Sequence, residues 1–106
     1  MPKYLFQANY TAEGAKGILK DGGTARRAAI EKAVAGLGGR LESFYFAFGG
    51  TDAYVVADLP DNTTAAAMAL AVAQSGKAST RTTVLLTPED VDAATKKSVT
   101  YRGPGG

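Results

Sequence analysis

Residues 41–59 read LESFYFAFGGTDAYVVADL, two alternating apolar stretches on either side of a Gly-Gly-Thr-Asp segment. From Leu41 to Phe48, the rings of Phe44, Phe46 and Phe48 fall on one side, and Leu41, Ser43, Tyr45 and Ala47 on the other. Side chains that alternate with period two belong to a strand. Gly49-Gly50-Thr51-Asp52 predicts a tight turn, and Ala53 to Leu59 resumes as a second strand, so the segment predicts an antiparallel hairpin. Both faces of the first strand carry large apolar groups. Such a strand needs cover on two sides.

Working outward, Tyr4 to Tyr10 alternates in the same way, with Tyr4, Phe6, Ala8 and Tyr10 opposite Leu5, Gln7 and Asn9. Thr11 to Gly23 holds Gly14, Gly17, Gly22 and Gly23 and lacks a long clean period. It predicts a glycine-rich connection with one helical turn near Ala15 to Leu19. Thr24 is suited to cap a helix from Ala25 to Leu37, whose Ile30, Val34 and Leu37 recur at helical spacing and which Gly38-Gly39 ends. Arg27 and Glu31, four apart, are placed to pair on its wet side. Beyond the hairpin, Pro60-Asp61-Asn62 breaks the strand, with Asp61 or Asn62 as the cap of an alanine-rich helix from Thr63 to Ser75. That helix has almost no charge on any side, which predicts cover on more than its sheet-facing stripe. Arg81 to Thr87 predicts a fourth strand, and Thr87-Pro88-Glu89-Asp90 starts a last helix ending near Lys97. The domain is expected to span residues 1–102, with 103–106 a loose tail.

Two β-α-β units joined by a hairpin make an α+β, ferredoxin-like βαββαβ domain, a four-stranded antiparallel sheet with helices on one face. The other face stays bare. Phe44, Phe46 and Phe48 oppose Tyr45 and Ala47, and Val84 and Leu86 oppose Leu85, so either choice of covered face exposes apolar surface. A second copy packed sheet to sheet removes that surface from water. The expected partner is therefore the chain itself, as a homodimer or a higher oligomer of dimers.

Composition excludes much chemistry. The 106 residues contain no His, Cys or Trp, so no Ser-His-Asp or Cys-His constellation, imidazole or thiolate metal site, or disulfide can be built. No metal site and no cofactor are expected. A net charge of +2 is too small for an electrostatic grip on nucleic acid, and the RNA-binding pattern K/R-G-F/Y-G/A-F-V-x-F/Y is absent. No apolar run approaches the roughly 20 residues of a membrane helix, and Met1-Pro2-Lys3-Tyr4 enters the first strand directly, without a signal peptide. No membrane partner is expected, and the expected location is the cytoplasm of a bacterial-type cell.

At the hairpin and its flanks the sequence resembles the GYD-domain family. The residues that carry the resemblance are Phe44 to Asp61, the opening Tyr10-Thr11-Ala12-Glu13-Gly14 with Lys16-Gly17, and Thr82 to Asp90. The family's Gly-Tyr-Asp triplet stands here as Gly50-Thr51-Asp52. The resemblance implies a dimeric α/β barrel of the ferredoxin-like kind and brings no activity with it.

Strand parity supplies the first candidate site. Gln7 and Asn9 project from a central strand to the side opposite Tyr4 and Phe6. With Ser43, Tyr45, Arg81 and Thr83 they would line a sheet-to-sheet interface and suit a small polar or anionic ligand. The alternative is that these groups satisfy one another across a dimer. A second candidate is the Thr11–Gly23 segment, whose Lys16 and Lys20 lead to the start of a helix bearing Arg26 and Arg27. Cations and free backbone N–H groups there could hold a phosphate or carboxylate, against the alternative of a solvated flap. Asp52 and Asp58 lie about 20 Å apart along an extended strand and cannot act as a catalytic pair, so Asp52 is read as supporting the turn. Tyr4, Tyr10, Tyr45, Tyr54 and Tyr101 could move protons only if strongly perturbed. Three functions stay open: a small-molecule-binding or sensing module, a cofactor-independent enzyme of oxygenase or isomerase type, and a purely structural assembly protein.

Overall fold

A computed structural model covers residues 1–106. The elements run β1 (Lys3–Tyr10), α1 (Ala12–Asp21), α2 (Gly23–Gly36), β2 (Arg40–Phe46), β3 (Ala53–Asp58), α3 (Asn62–Gln74), β4 (Ala78–Leu85) and α4 (Pro88–Thr95). The four strands form one antiparallel sheet in the order β2-β3-β1-β4. This is the ferredoxin-like arrangement, with β1 and β3 central.

Parity decides which face the helices cover. Tyr4 and Phe6 of β1 and Val55 and Ala57 of β3 point to one side, where they meet Ile30 and Val34 of α2 and Ala65 and Met68 of α3. Burying a side chain of the size of Val, Ile, Phe or Met stabilises by about 1.5–3 kcal/mol, and an alanine methyl by less. Tyr4 is buried to the ring, and its phenol donates to Asn62 Oδ1 at 2.6 Å, so the hydroxyl costs nothing in desolvation. Asp61 caps α3 by accepting from the Thr64 N–H at 2.8 Å. Gly38 and Gly39 close α2 by donating to Ala35 O and Val34 O, at 3.0 Å each. Thr87 and Asp90 form the reciprocal capping box of α4.

The Thr11–Gly23 segment departs most from its sequence reading. It is the ten-residue helix α1, not a loop with one turn. Thr11 is the N-cap. Its hydroxyl accepts from the Gly14 N–H at 3.3 Å and donates to Gly76 O at 2.9 Å, while its own N–H reaches Lys77 O at 3.0 Å. A Cβ on Gly14 would stand 2.0 Å from Lys77 O, so the helix docks on the turn before β4 only because that position is glycine. Each glycine costs an isolated helix about 1 kcal/mol relative to alanine. Docking offsets that cost, and periodicity does not register docking. At the far end Gly22, with φ +86°, separates α1 from α2 and is the N-cap of α2. Thr24, predicted as the cap, sits inside the first turn.

Four smaller expectations are also corrected. β2 ends at Phe46, so Phe48 leaves the sheet and is fully exposed, and the turn is a six-residue connection, Ala47 to Asp52. A bulge between Leu41 and Ser43 shifts the register, which brings Leu41 to the core side with Phe44 instead of opposite it. Arg27 and Glu31 make no ion pair. Both border an open groove beside β2, where such a pair gains little. The outer side of α3 is uncovered in the protomer, with Leu70 exposed.

The opposite face of the sheet carries no helix. Register puts Leu5 beside Val56 and Thr83, and Gln7 beside Tyr54 and Arg81; Tyr54 in turn pairs with Tyr45. No helix is long and apolar enough to cross a membrane.

Candidate functional site

The open face gathers Gln7, Asn9, Tyr45 and Arg81 as parity predicted, but two of the four are engaged in holding the turn. Asn9 Nδ2 donates to Gly50 O at 2.8 Å, and Arg81 Nη2 donates to Thr51 Oγ1 at 2.8 Å. Asp52 completes the attachment. Its carboxylate accepts from the Tyr10 N–H at 2.9 Å, and its own N–H donates to Ala8 O at 2.9 Å. The segment Gly50-Thr51-Asp52 is thus pinned to β1 and β4, and the Asp52 carbonyl also closes the connection by accepting from the Ala47 N–H at 2.8 Å. Thr51 is buried with its hydroxyl satisfied. Gln7 stays between Tyr54 and Arg81, and Tyr45 is exposed.

At the other end of the open face lies an ion cluster. Lys3 Nζ donates to Glu42 at 2.7 Å and to Asp58 at 2.9 Å, and Arg40 Nη2 reaches Asp58 at 3.2 Å. The hydrogen bond from Lys3, with help from Arg40, holds the Asp58 carboxyl below the usual carboxylate range against the opposing effect of burial. The bonds to Glu42 and Asp58 in turn raise the Lys3 ammonium above its ordinary value. Asp61 is lowered by the Thr64 hydroxyl and N–H that it accepts from as a cap. These shifts follow from structural contacts. No group of three or more Asp and Glu side chains comes together to hold a metal ion.

Two adjacent hollows, sharing part of their lining, lie on the helix side of the sheet. The first, a vestibule of ≈ 220 Å³, sits beneath α1 and is bordered by Gly14, Gly17, Ile18 and Asp21 of that helix, by Arg26 of α2, and by Ser75 and Lys77. The second is a throat of ≈ 30 Å³ between α2, α3 and the sheet, lined by eleven hydrophobic residues among thirteen, including Phe6, Ile30, Phe44, Val55, Met68 and Val72. Tyr10, Arg26 and Ala78 border both, so the guanidinium stem stands where vestibule meets throat. Arg26 Nε is buried and has no hydrogen-bond partner among the groups of the protein. Arg26 takes no part in the ion pairs of the protein, which join Lys3, Arg40 and Lys16 to Glu42, Asp58 and Glu13. A buried donor without a partner costs about 1–3 kcal/mol, more when charged, and bound ligand is one way to recover it.

Lys16 and Lys20, the cations singled out on this segment, border neither hollow. Both are exposed, and Lys16 lies 3.6 Å from Glu13 in an open pair. Of the cations flagged there, Arg26 alone borders both hollows, beside Tyr10, and Lys77, which borders the vestibule, was not among the residues flagged. The signal was present. Arg26 precedes Ile30 by four and Val34 by eight, so it lies on the same stripe of α2 that those two buried residues occupy. A cation on the buried stripe of a helix is the anomaly to look for.

A family model described as the GYD domain matches residues 4–95. No curated protein and no solved structure matches the chain.

Proposed function

The chain belongs to the GYD-domain family, and from that footing we propose that it is a small-molecule-binding or sensing module, active as a homodimer, whose ligand occupies the hollow beneath α1 against Arg26. One observation carries the reading: a guanidinium nitrogen, buried and without a protein partner, where a vestibule of mixed polarity adjoins an apolar throat. Ligand sites are concave, largely apolar and fitted with a few placed polar groups, and this hollow has that make-up. The competing location, between two facing sheets, is weakened because Asn9 and Arg81 already hold the turn. The homodimer is supported by the helix-free face of the sheet, where Leu5, Val56 and Tyr54 lie side by side across β1 and β3.

The test is native mass spectrometry on freshly purified protein, which reports subunit number and retained small molecules together. The expected spectrum is a dimer with a releasable adduct, and Arg26→Gln yields the same dimer without it. Retention of the adduct by Arg26→Gln would remove the site from beneath α1. Loss of the adduct from Gln7→Ala or Asn9→Ala instead would move it to the sheet face.

A further inference from the structure

We infer that the ligand is a small carboxylic acid with a short apolar tail, its carboxylate on Arg26 in the vestibule and its tail in the throat. This rests on the reading above and adds the ligand's chemistry to it. Three features of the hollow select that class.

The first is charge. The vestibule is bordered by two cations, Arg26 and Lys77, and one carboxylate, Asp21, which leaves a single positive charge. One negative charge on the ligand balances it. A doubly charged phosphate would bring an uncompensated charge into a site that is partly out of water, where such charges are costly. The second is the shape of the donor. A guanidinium presents parallel N–H groups at the spacing of two carboxylate oxygens, and Arg26 has no protein carboxylate that takes them. The third is the throat. Its walls are Ile30, Phe44, Val55, Met68 and Val72, and they offer a tail no polar partner. A water molecule needs about 10–15 Å³ of such space, so ≈ 30 Å³ takes about two or three heavy atoms before the walls must move. Away from Arg26 and Thr80 at its margin, water held there would find few hydrogen bonds, and methylene groups would not need them.

Tail length is therefore the readable variable. The experiment titrates ¹⁵N-labelled protein at pH 7 with acetate, propanoate, butanoate and hexanoate, with 1-butanol and inorganic phosphate alongside, following amide shifts by NMR. Shifts are expected at Arg26, Lys77 and the throat residues. Affinity should rise about fourfold per methylene from acetate to butanoate and gain nothing further at hexanoate. The neutral 1-butanol should bind at least about tenfold more weakly than butanoate, since it leaves the guanidinium unpaired. Val72→Phe, which fills the throat, should bring butanoate down to the affinity of acetate while acetate itself is unchanged. Ala69→Leu enters the same throat and replaces it if the phenylalanine variant does not fold. Arg26→Gln should lose all the acids together.

Phosphate binding as tightly as butanoate, or four acids of equal affinity, would overturn the ligand class and leave the hollow as an anion site. Shifts confined to Gln7, Tyr54 and Arg81 would overturn the location as well.

Discussion

Asp58 shows how a single carboxylate can couple strand pairing to pH. It sits on β3 opposite Lys3 and Arg40 in the register of the sheet, and both cations reach its oxygens. Its folded pKa is depressed, chiefly by the Lys3 hydrogen bond. A depressed carboxyl contributes stability that is complete above its unfolded value, near 3.9, and disappears as pH falls through the lower folded value. Urea unfolding from pH 7 to pH 2 should therefore show a midpoint that drops below about pH 4. In Asp58→Asn the midpoint is lower at pH 7, and the gap between the two proteins closes through the acid range. Parallel curves would mean that the cluster is ordered but energetically idle, as many exposed ion pairs are. A second residue tells a similar story about attachment. Thr51, where the family triplet carries tyrosine, buries its hydroxyl against the Arg81 guanidinium and ties the hairpin connection to an edge strand.

Among the elements, α1 separates what patterning reveals from what it hides. Alternation in Tyr4–Tyr10 and Ala53–Leu59 is a property of neighbouring residues, so those strands were legible, as was the cap Thr87, while the cap of α3 was narrowed to Asp61 or Asn62. Helix α1 depends on Thr11 and Gly14 meeting Gly76 and Lys77, more than sixty residues away, and no local period encodes that. The bulge at Leu41–Ser43 is hidden for the same reason, since a one-residue register shift is set by the partner strand. The candidate site was half legible. The Thr11–Gly23 segment and the cations after it were flagged, but Lys16 and Lys20 point away from the hollow once the segment is helical. Two glycine substitutions test the docking account. Gly14→Ala forces a Cβ against Lys77 O and should cost about 1–3 kcal/mol in urea unfolding, and it should open the vestibule. Gly17→Ala, on the same helix, meets nothing within 4 Å and should stabilise by about 0.5–1 kcal/mol through helix propensity alone. Equal effects would show that α1 is held by something other than that close approach.

At the scale of the whole molecule, the protomer is poorly closed. Its radius of gyration is 16.9 Å, against about 13 Å for a compact chain of this length, and its longest dimension is 56 Å. Two features account for this. The segment from Pro88 stands off the body, with no buried residue in α4 and with Val91, Val99 and Tyr101 exposed. The sheet is clad on one side, so Tyr45 and Tyr54 stay in contact with solvent. Nothing in a single copy lies over that face, whereas a twin has an identical one, and self-complementary faces related by a twofold axis close without propagating. Val56 lies on that face, paired with Leu5 on one side and Ser43 on the other. Glutamate at position 56 is tolerable on a wet strand surface and severe between two sheets, where its charge would be buried without a partner. Sedimentation at tens of micromolar should give twice the 10.9 kDa protomer mass for the parent protein and the protomer mass for Val56→Glu, with unchanged helix content by circular dichroism. A parent protein that sediments as one protomer, or a Val56→Glu variant that still pairs, would place any assembly on another surface, with the uncharged outer side of α3 the next to mutate.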